Sequence, residues 1–171
     1  MADLITHSCA AILWKAASKG ARVPTFVAGT CLPDFLGRVP AMGLTELRWK
    51  LPWIPELLVY LWPPFHMPTG ILVGSMMVAC LFPEGQRAQS FRALLGGGLL
   101  HLAVDLLQRH FGVGYLLFFP FSLWDFELGW IGSEDTVRIV PLLVPLTLGV
   151  GWWRWGRRPE GRKIPERPGT G

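Results

Sequence analysis

Apolar residues in this chain fall into short, dense runs, each interrupted by proline, glycine or charge, and the runs predict helices. Residues 4–19 read as a first helix that closes at Gly20, with Thr6 and His7 in its opening turn. A second apolar run, 23–30, ends in Cys31-Leu32-Pro33-Asp34, which places Asp34 at or just past a helix end, ahead of the breakers Gly37 and Pro40. Residues 40–64 form a proline-punctuated connection whose middle, 54–62, predicts a short interfacial helix. Pro63-Pro64-Phe65-His66-Met67-Pro68 is a turn feeding a helix over 71–82, which Pro83-Glu84-Gly85 ends. The longest helix is expected over 86–110 and the last over 136–155, capped by Gly132-Ser133-Glu134-Asp135. Between them, 115–124 is aromatic, centred on Pro120, and predicts an irregular segment.

Inside the long helix, two polar residues interrupt a leucine-rich stretch, His101 and Asp105. Their i,i+4 spacing puts both on one helix face. A carboxylate among leucines is costly unless something neutralises it. A divalent metal does so, and a hydrogen-bonded His–Asp staple in a core does so too. Gly97 and Gly98, one turn earlier, let another backbone approach closely. Other residues of ligand type sit at helix starts and ends: His7, Asp34 and His66. Only His110 lies outside this set among the four histidines, and near its helix end it suits the C-terminal dipole.

Composition shifts the picture toward a membrane. The chain of 171 residues is 51% hydrophobic and only 16% charged, with nine tryptophans and ten phenylalanines, and its mean hydropathy is +0.37. A typical soluble domain carries about 25% charged residues, and tryptophan belts membrane interfaces. The expected fold class is therefore all-α: a compact polytopic membrane bundle of short helices over residues 1–156. Residues 157–171 are expected to form a basic disordered tail. The tail follows an apolar run, so the positive-inside rule places it in the cytoplasm, with membrane lipids as partners; a bacterial inner membrane is the expected location. Met1-Ala2-Asp3 lacks the basic start of a cleavable signal, so the first helix is expected to stay in the mature chain. No aromatic or motif-like feature accompanies the basic tail, and nucleic acid is not expected as a partner. Cys9, Cys31 and Cys80 show no CxxC spacing and read as free thiols.

The order Thr6-His7, Leu32-Pro33-Asp34, His66, His101-x-x-x-Asp105 and Pro120-Phe121-Ser122 resembles the YdjM-like family of membrane-bound, metal-dependent hydrolases. That family's central motif reads His-Arg-Gly-x-x-His-Ser; here Phe65-His66-Met67-Pro68-Thr69-Gly70 keeps one histidine and lacks the arginine. The resemblance implies a metal centre of His7, Asp34, His66, His101 and Asp105. Imidazole with carboxylate suits a divalent ion, Zn²⁺ first, with Mn²⁺ or Mg²⁺ as others. Asp34 and Asp105 are the catalytic candidates, a carboxylate not needed as ligand serving as general base. The expected reaction is hydrolysis of an ester or phosphoester, a lipid among the substrates, by a metal-activated water. Asp125 and Glu127 are candidates to support the ligands from behind. Gly-x-Ser-x-Gly is absent, so neither Ser8 nor Ser122 reads as a nucleophile. Two rival readings share the scaffold: a non-catalytic membrane protein whose His/Asp cluster is structural, and a small transporter with intramembrane ionisable residues.

Overall fold

The structure is a computed structural model in which residues 4–18, 22–109, 114–132 and 135–156 are described. Helices dominate it: α1 (Leu4–Ser18), α2 (Val23–Pro33), a five-residue π turn (Asp34–Arg38), α3 (Val39–Lys50), α4 (Leu57–Tyr60), a 3₁₀ turn (Pro63–His66), α5 (Pro68–Ala79), α6 (Glu84–Leu106) and α7 (Asp135–Gly151), which runs into a second π turn (Trp152–Gly156). Among the described residues a small sheet pairs β1 (Gln108–Arg109) in parallel with β2 (Ile131–Gly132).

The helices pack around α6, with α2 its most extensive partner and α5 the next, while α1 lies against α2 and α7. Glycine makes the α2–α6 crossing tight. A Cβ at Gly97 would fall 2.8 Å from the Thr30 amide nitrogen and closer still to the Phe26 carbonyl oxygen. A Cβ at Gly29 would meet the Leu94 backbone in the same way, 2.7 Å from its Cα. The two backbones thus touch where no side chain fits, and buried Leu94 and Ala93 fill the space beside them.

The helix boundaries depart from the sequence reading in three places. Asp34 does not end a helix: α2, the π turn and α3 follow one another without a break through Pro33, Gly37 and Pro40. Each proline withholds one backbone donor, so the ladder is weakest between them, and there it widens so that the Val39 amide bonds the Asp34 carbonyl, five residues back. The interfacial helix expected over 54–62 shrinks to Leu57–Tyr60. Finally, α6 stops at Leu106 because the returning chain takes its last carbonyls. Leu128 donates to the Leu106 carbonyl at 2.8 Å, and Trp130 and Ile131 donate to that of Leu107 at 2.9 and 3.0 Å. His110, Ser133, Glu134 and the 157–171 tail lie outside the described residues.

The membrane reading is corrected. Among the described residues no helix is long and apolar enough to cross a membrane. A span needs about 20 apolar residues; α5 has 12, α1 has 15 and α7 has 17. Only α6, at 23 residues, has the length, and it carries Glu84, Arg87, Arg92 and Asp105. The polytopic membrane bundle, the transmembrane-helix assignment and the integral inner-membrane location are overturned by this finding. High composite hydropathy misled because it is spread over short runs. Much of it lies on the surface, as at Trp49, Trp53, Leu81, Phe121 and Trp152.

Candidate metal centre

The five positions named as metal ligands from the sequence converge on one buried point. His7 arrives from α1, Asp34 from the π turn, His66 from the end of the 3₁₀ turn, and His101 and Asp105 from one face of α6. His7, Asp34, His101 and Asp105 are buried, and the His66 side chain keeps 12% of its surface exposed. The room for His66 comes from Gly37, where a Cβ would sit 3.0 Å from the His66 Nδ1.

The facing atoms are close. His66 Nε2 lies 3.0 Å from His101 Nε2, 3.4 Å from Asp34 Oδ1 and 3.8 Å from Asp105 Oδ2. His101 Nε2 lies 3.3 Å from Asp105 Oδ2, and His7 Nε2 lies 3.2 Å from Asp105 Oδ1. Nitrogen and oxygen ligands held around a tetrahedral Zn²⁺ at their usual bond lengths stand about 3.3 Å apart. These separations bracket that value. The donor atoms of His7, His101 and Asp105 form one group within metal-binding distance, and those of Asp34, His66 and His101 a second. His101 belongs to both.

Two further features bear on what holds this cluster together. His101 Nδ1 is 2.6 Å from the Thr30 carbonyl. A carbonyl only accepts, so Nδ1 carries a proton, and in the neutral ring this leaves the Nε2 lone pair facing the cluster. By contrast, neither ring nitrogen of His7 nor Asp105 Oδ1 forms a hydrogen bond, although His7 Nε2 and Asp105 Oδ1 are 3.2 Å apart. Their contact is electrostatic and out of line for a hydrogen bond, as it is when two ligand atoms aim at a common centre. Buried polar atoms without partners are rare, and a cation between His7 Nε2 and Asp105 Oδ1 satisfies both.

Tyr115 also reaches the cluster, and nothing in its aromatic surroundings marks it in the sequence. Its hydroxyl donates to Asp105 Oδ2 at 2.5 Å, the range of a hydrogen bond to an anion. The main chain at Tyr115 is held by paired bonds with Phe126, at 3.1 and 3.0 Å. Thr30 was equally hidden, since it acts through its backbone. Asp125 accepts from the Gly114 amide at 3.3 Å and so braces this loop rather than the cluster; Glu127 is in neither metal-binding group. Ser122 accepts from the Trp124 amide, and Ser8 contacts Cys31.

The two carboxylates are tuned apart. Burial alone raises the Asp105 carboxyl, but the His101 and His7 imidazoles facing it outweigh burial and hold it below the usual carboxylate range. Asp34 goes the other way, raised by burial despite nearby His101, His7 and Arg38. Burial, reinforced by His101, pushes His66 down to about 4. Between pH 6.5 and about 4 the unfolded chain therefore binds a proton that folded, metal-free His66 refuses. Chelator-treated protein is expected to lose about 2 kcal/mol from this residue between pH 7 and pH 5. The raised Asp34 carboxyl returns part of that loss. Urea midpoints at the two pH values check it: a His66→Gln variant should show a flatter pH dependence, and an unchanged slope refutes the assignment.

No known protein family, curated protein or solved structure matches the chain. The functional reading therefore stands on the geometry and on the order of its motifs.

Proposed function

We propose that the chain is a metal-dependent hydrolase of the kind its motif order resembles. Its substrate is an ester or phosphoester, and Zn²⁺ fits its ligands best. The observation that carries this reading is the convergence of three imidazoles and two carboxylates on one buried point, with His7 and Asp105 Oδ1 left without hydrogen bonds. Imidazole-rich sets with carboxylate are those of Zn²⁺, while Mg²⁺ prefers oxygen ligands and water. When bound, the cation supplies a Lewis acid that makes water acidic enough to ionise near neutral pH.

The chain's own residues have separable tasks. His101, locked by the Thr30 carbonyl, presents Nε2. Asp105, kept ionised and held by Tyr115, supplies negative charge. Asp34 combines a raised proton affinity with a place beside the half-open His66 and Arg38, so it is the group suited to take a proton from an attacking water. Two carboxylates with opposite tuning are a common way to divide such roles.

The hydrogen-bonded series Thr30–His101 and Tyr115–Asp105 also favours a second reading, in which the cluster pins α2, α6 and the 115–126 loop together without catalysis. Elemental mass spectrometry on the purified chain, followed by hydrolysis of chromogenic phosphate and carboxylate esters with and without chelator, separates the two. The hydrolase reading expects near-stoichiometric divalent metal and chelator-sensitive turnover. No metal after reconstitution with Zn²⁺ and Mn²⁺ overturns it.

A further inference from the structure

We propose that Arg38 anchors the substrate at this site and that it selects an anionic phosphoryl group over a neutral ester. The inference rests on the hydrolase reading above and narrows its substrate class.

Position is the first argument. Arg38 closes the π turn that Asp34 opens, so both side chains face the same way. Its Nη1 is 3.9 Å from Asp34 Oδ1, too far for a hydrogen bond, and that oxygen is itself 3.4 Å from His66 Nε2. The guanidinium thus borders the donor cluster without being consumed by it. While Asp34, Asp105, His7 and His101 are sealed in, the Arg38 side chain keeps 33% of its surface exposed. His66, with 12% of its side chain exposed, also reaches Asp34 Oδ1, so Arg38 and His66 are the partly exposed groups that border the buried cluster.

Charge is the second. Arg38 pairs with Asp34 at 3.9 Å, and a divalent cation held by Asp34 and Asp105 would draw on that carboxylate and free the guanidinium to meet an anion. A site of that balance draws in anions.

Chemistry is the third. A planar guanidinium matches two oxygens of a phosphoryl group at once, which an ammonium does not. A tetrahedral oxyanion has oxygens on opposite sides, so one faces the donor cluster while others meet Arg38. A neutral carboxylic ester offers no second anionic oxygen and leaves the guanidinium unpaired in the encounter.

Calorimetric titration of the metal-loaded full chain with inorganic phosphate tests this without relying on turnover. Metal content is measured first in every sample. Wild-type protein is expected to bind phosphate, and Arg38→Gln to weaken that binding roughly 10- to 100-fold at unchanged metal content. Arg38→Lys, which keeps the charge but loses the fork, should fall between them. The KM for p-nitrophenyl phosphate should rise in both variants. If Arg38→Gln loses its metal, the lysine variant decides: weaker phosphate binding at full metal content supports the anchor, and wild-type affinity overturns it. Glycerol phosphate and phosphatidic acid micelles, titrated in parallel, tell a soluble ester from a lipid headgroup, and tight binding of either supports the proposal. Metal-loaded protein that ignores phosphate, or binds it equally after Arg38→Gln, overturns the anchor and leaves the hydrolase reading intact. Wild-type protein that holds no metal overturns the hydrolase reading, and the anchor falls with it.

Discussion

Asp105→Asn is expected to lower affinity for divalent metal by more than the roughly 10- to 100-fold that loss of an outer partner costs a metal site. Asparagine keeps the shape and still accepts a hydrogen bond from Tyr115, so the fold has little reason to rearrange. What it loses is the negative charge that faces His7, His101 and His66 at 3.2, 3.3 and 3.8 Å. The readout is elemental content together with thermal melts, with and without chelator. Metal that binds only the native state adds about 4 kcal/mol at a thousandfold excess over Kd. If the cluster is a metal site, wild-type protein gains that stability from Zn²⁺ and the variant does not. In chelator the two should melt closer together, separated by the roughly one to three kcal/mol of lost charge-assisted contacts, the size of a buried hydrogen-bonded charge. If the cluster is only a pin, the variant is weaker by the same amount with and without metal, and Zn²⁺ changes neither protein.

Gly97→Ala should be nearly as disruptive, for a mechanical reason. The new Cβ would meet backbone, not the flexible end of a side chain, at Phe26 and Thr30. Helices α2 and α6 then have to separate. Overpacking of this kind costs about 3 kcal/mol at the upper end of its usual range, which for a chain of this size lowers Tm by roughly 10 °C. Separation also draws the Thr30 carbonyl away from His101 Nδ1, so metal affinity should fall although no ligand has changed. Gly43→Ala is the control. It lies in α3 where a Cβ meets nothing within 4 Å, and alanine there should stabilise by about 0.5–1 kcal/mol. Equal losses at the two positions would refute the close-approach account.

How much of the fold and the cluster was legible in the sequence depends on the kind of signal. His101 and Asp105 announced themselves because an i,i+4 pair of polar residues in a leucine run has few other uses. His7, Asp34 and His66 stood out by type, and the fold brings all three to that pair. The rod containing Asp34 was illegible because Pro33, Gly37 and Pro40 read as punctuation, whereas the helix runs on through them with a π turn at Asp34–Arg38. Tyr115 is one aromatic among many between 115 and 126, and only the tertiary structure turns its hydroxyl toward Asp105. Thr30 contributes a carbonyl, which no side-chain pattern encodes. The membrane expectation failed where composition was used without length: apolar residues are abundant, but among the described residues no helix gathers enough of them in one span.

The π turn at Asp34–Arg38 also sets the angular phase of the chain beyond it. One residue more than an α-helical turn occupies the loop closed by the Val39 amide and the Asp34 carbonyl. Deleting a single residue there would restore a regular ladder and gain a tidier helix. It would also swing α3 by about 100° relative to α2, and the 3₁₀ turn that packs on the widened segment through Gly37 would lose its seat. Local helical order and a complete donor set are thus in competition at these five residues. The structure keeps the irregular ladder, and with it Asp34, Arg38 and His66 on one side of the rod.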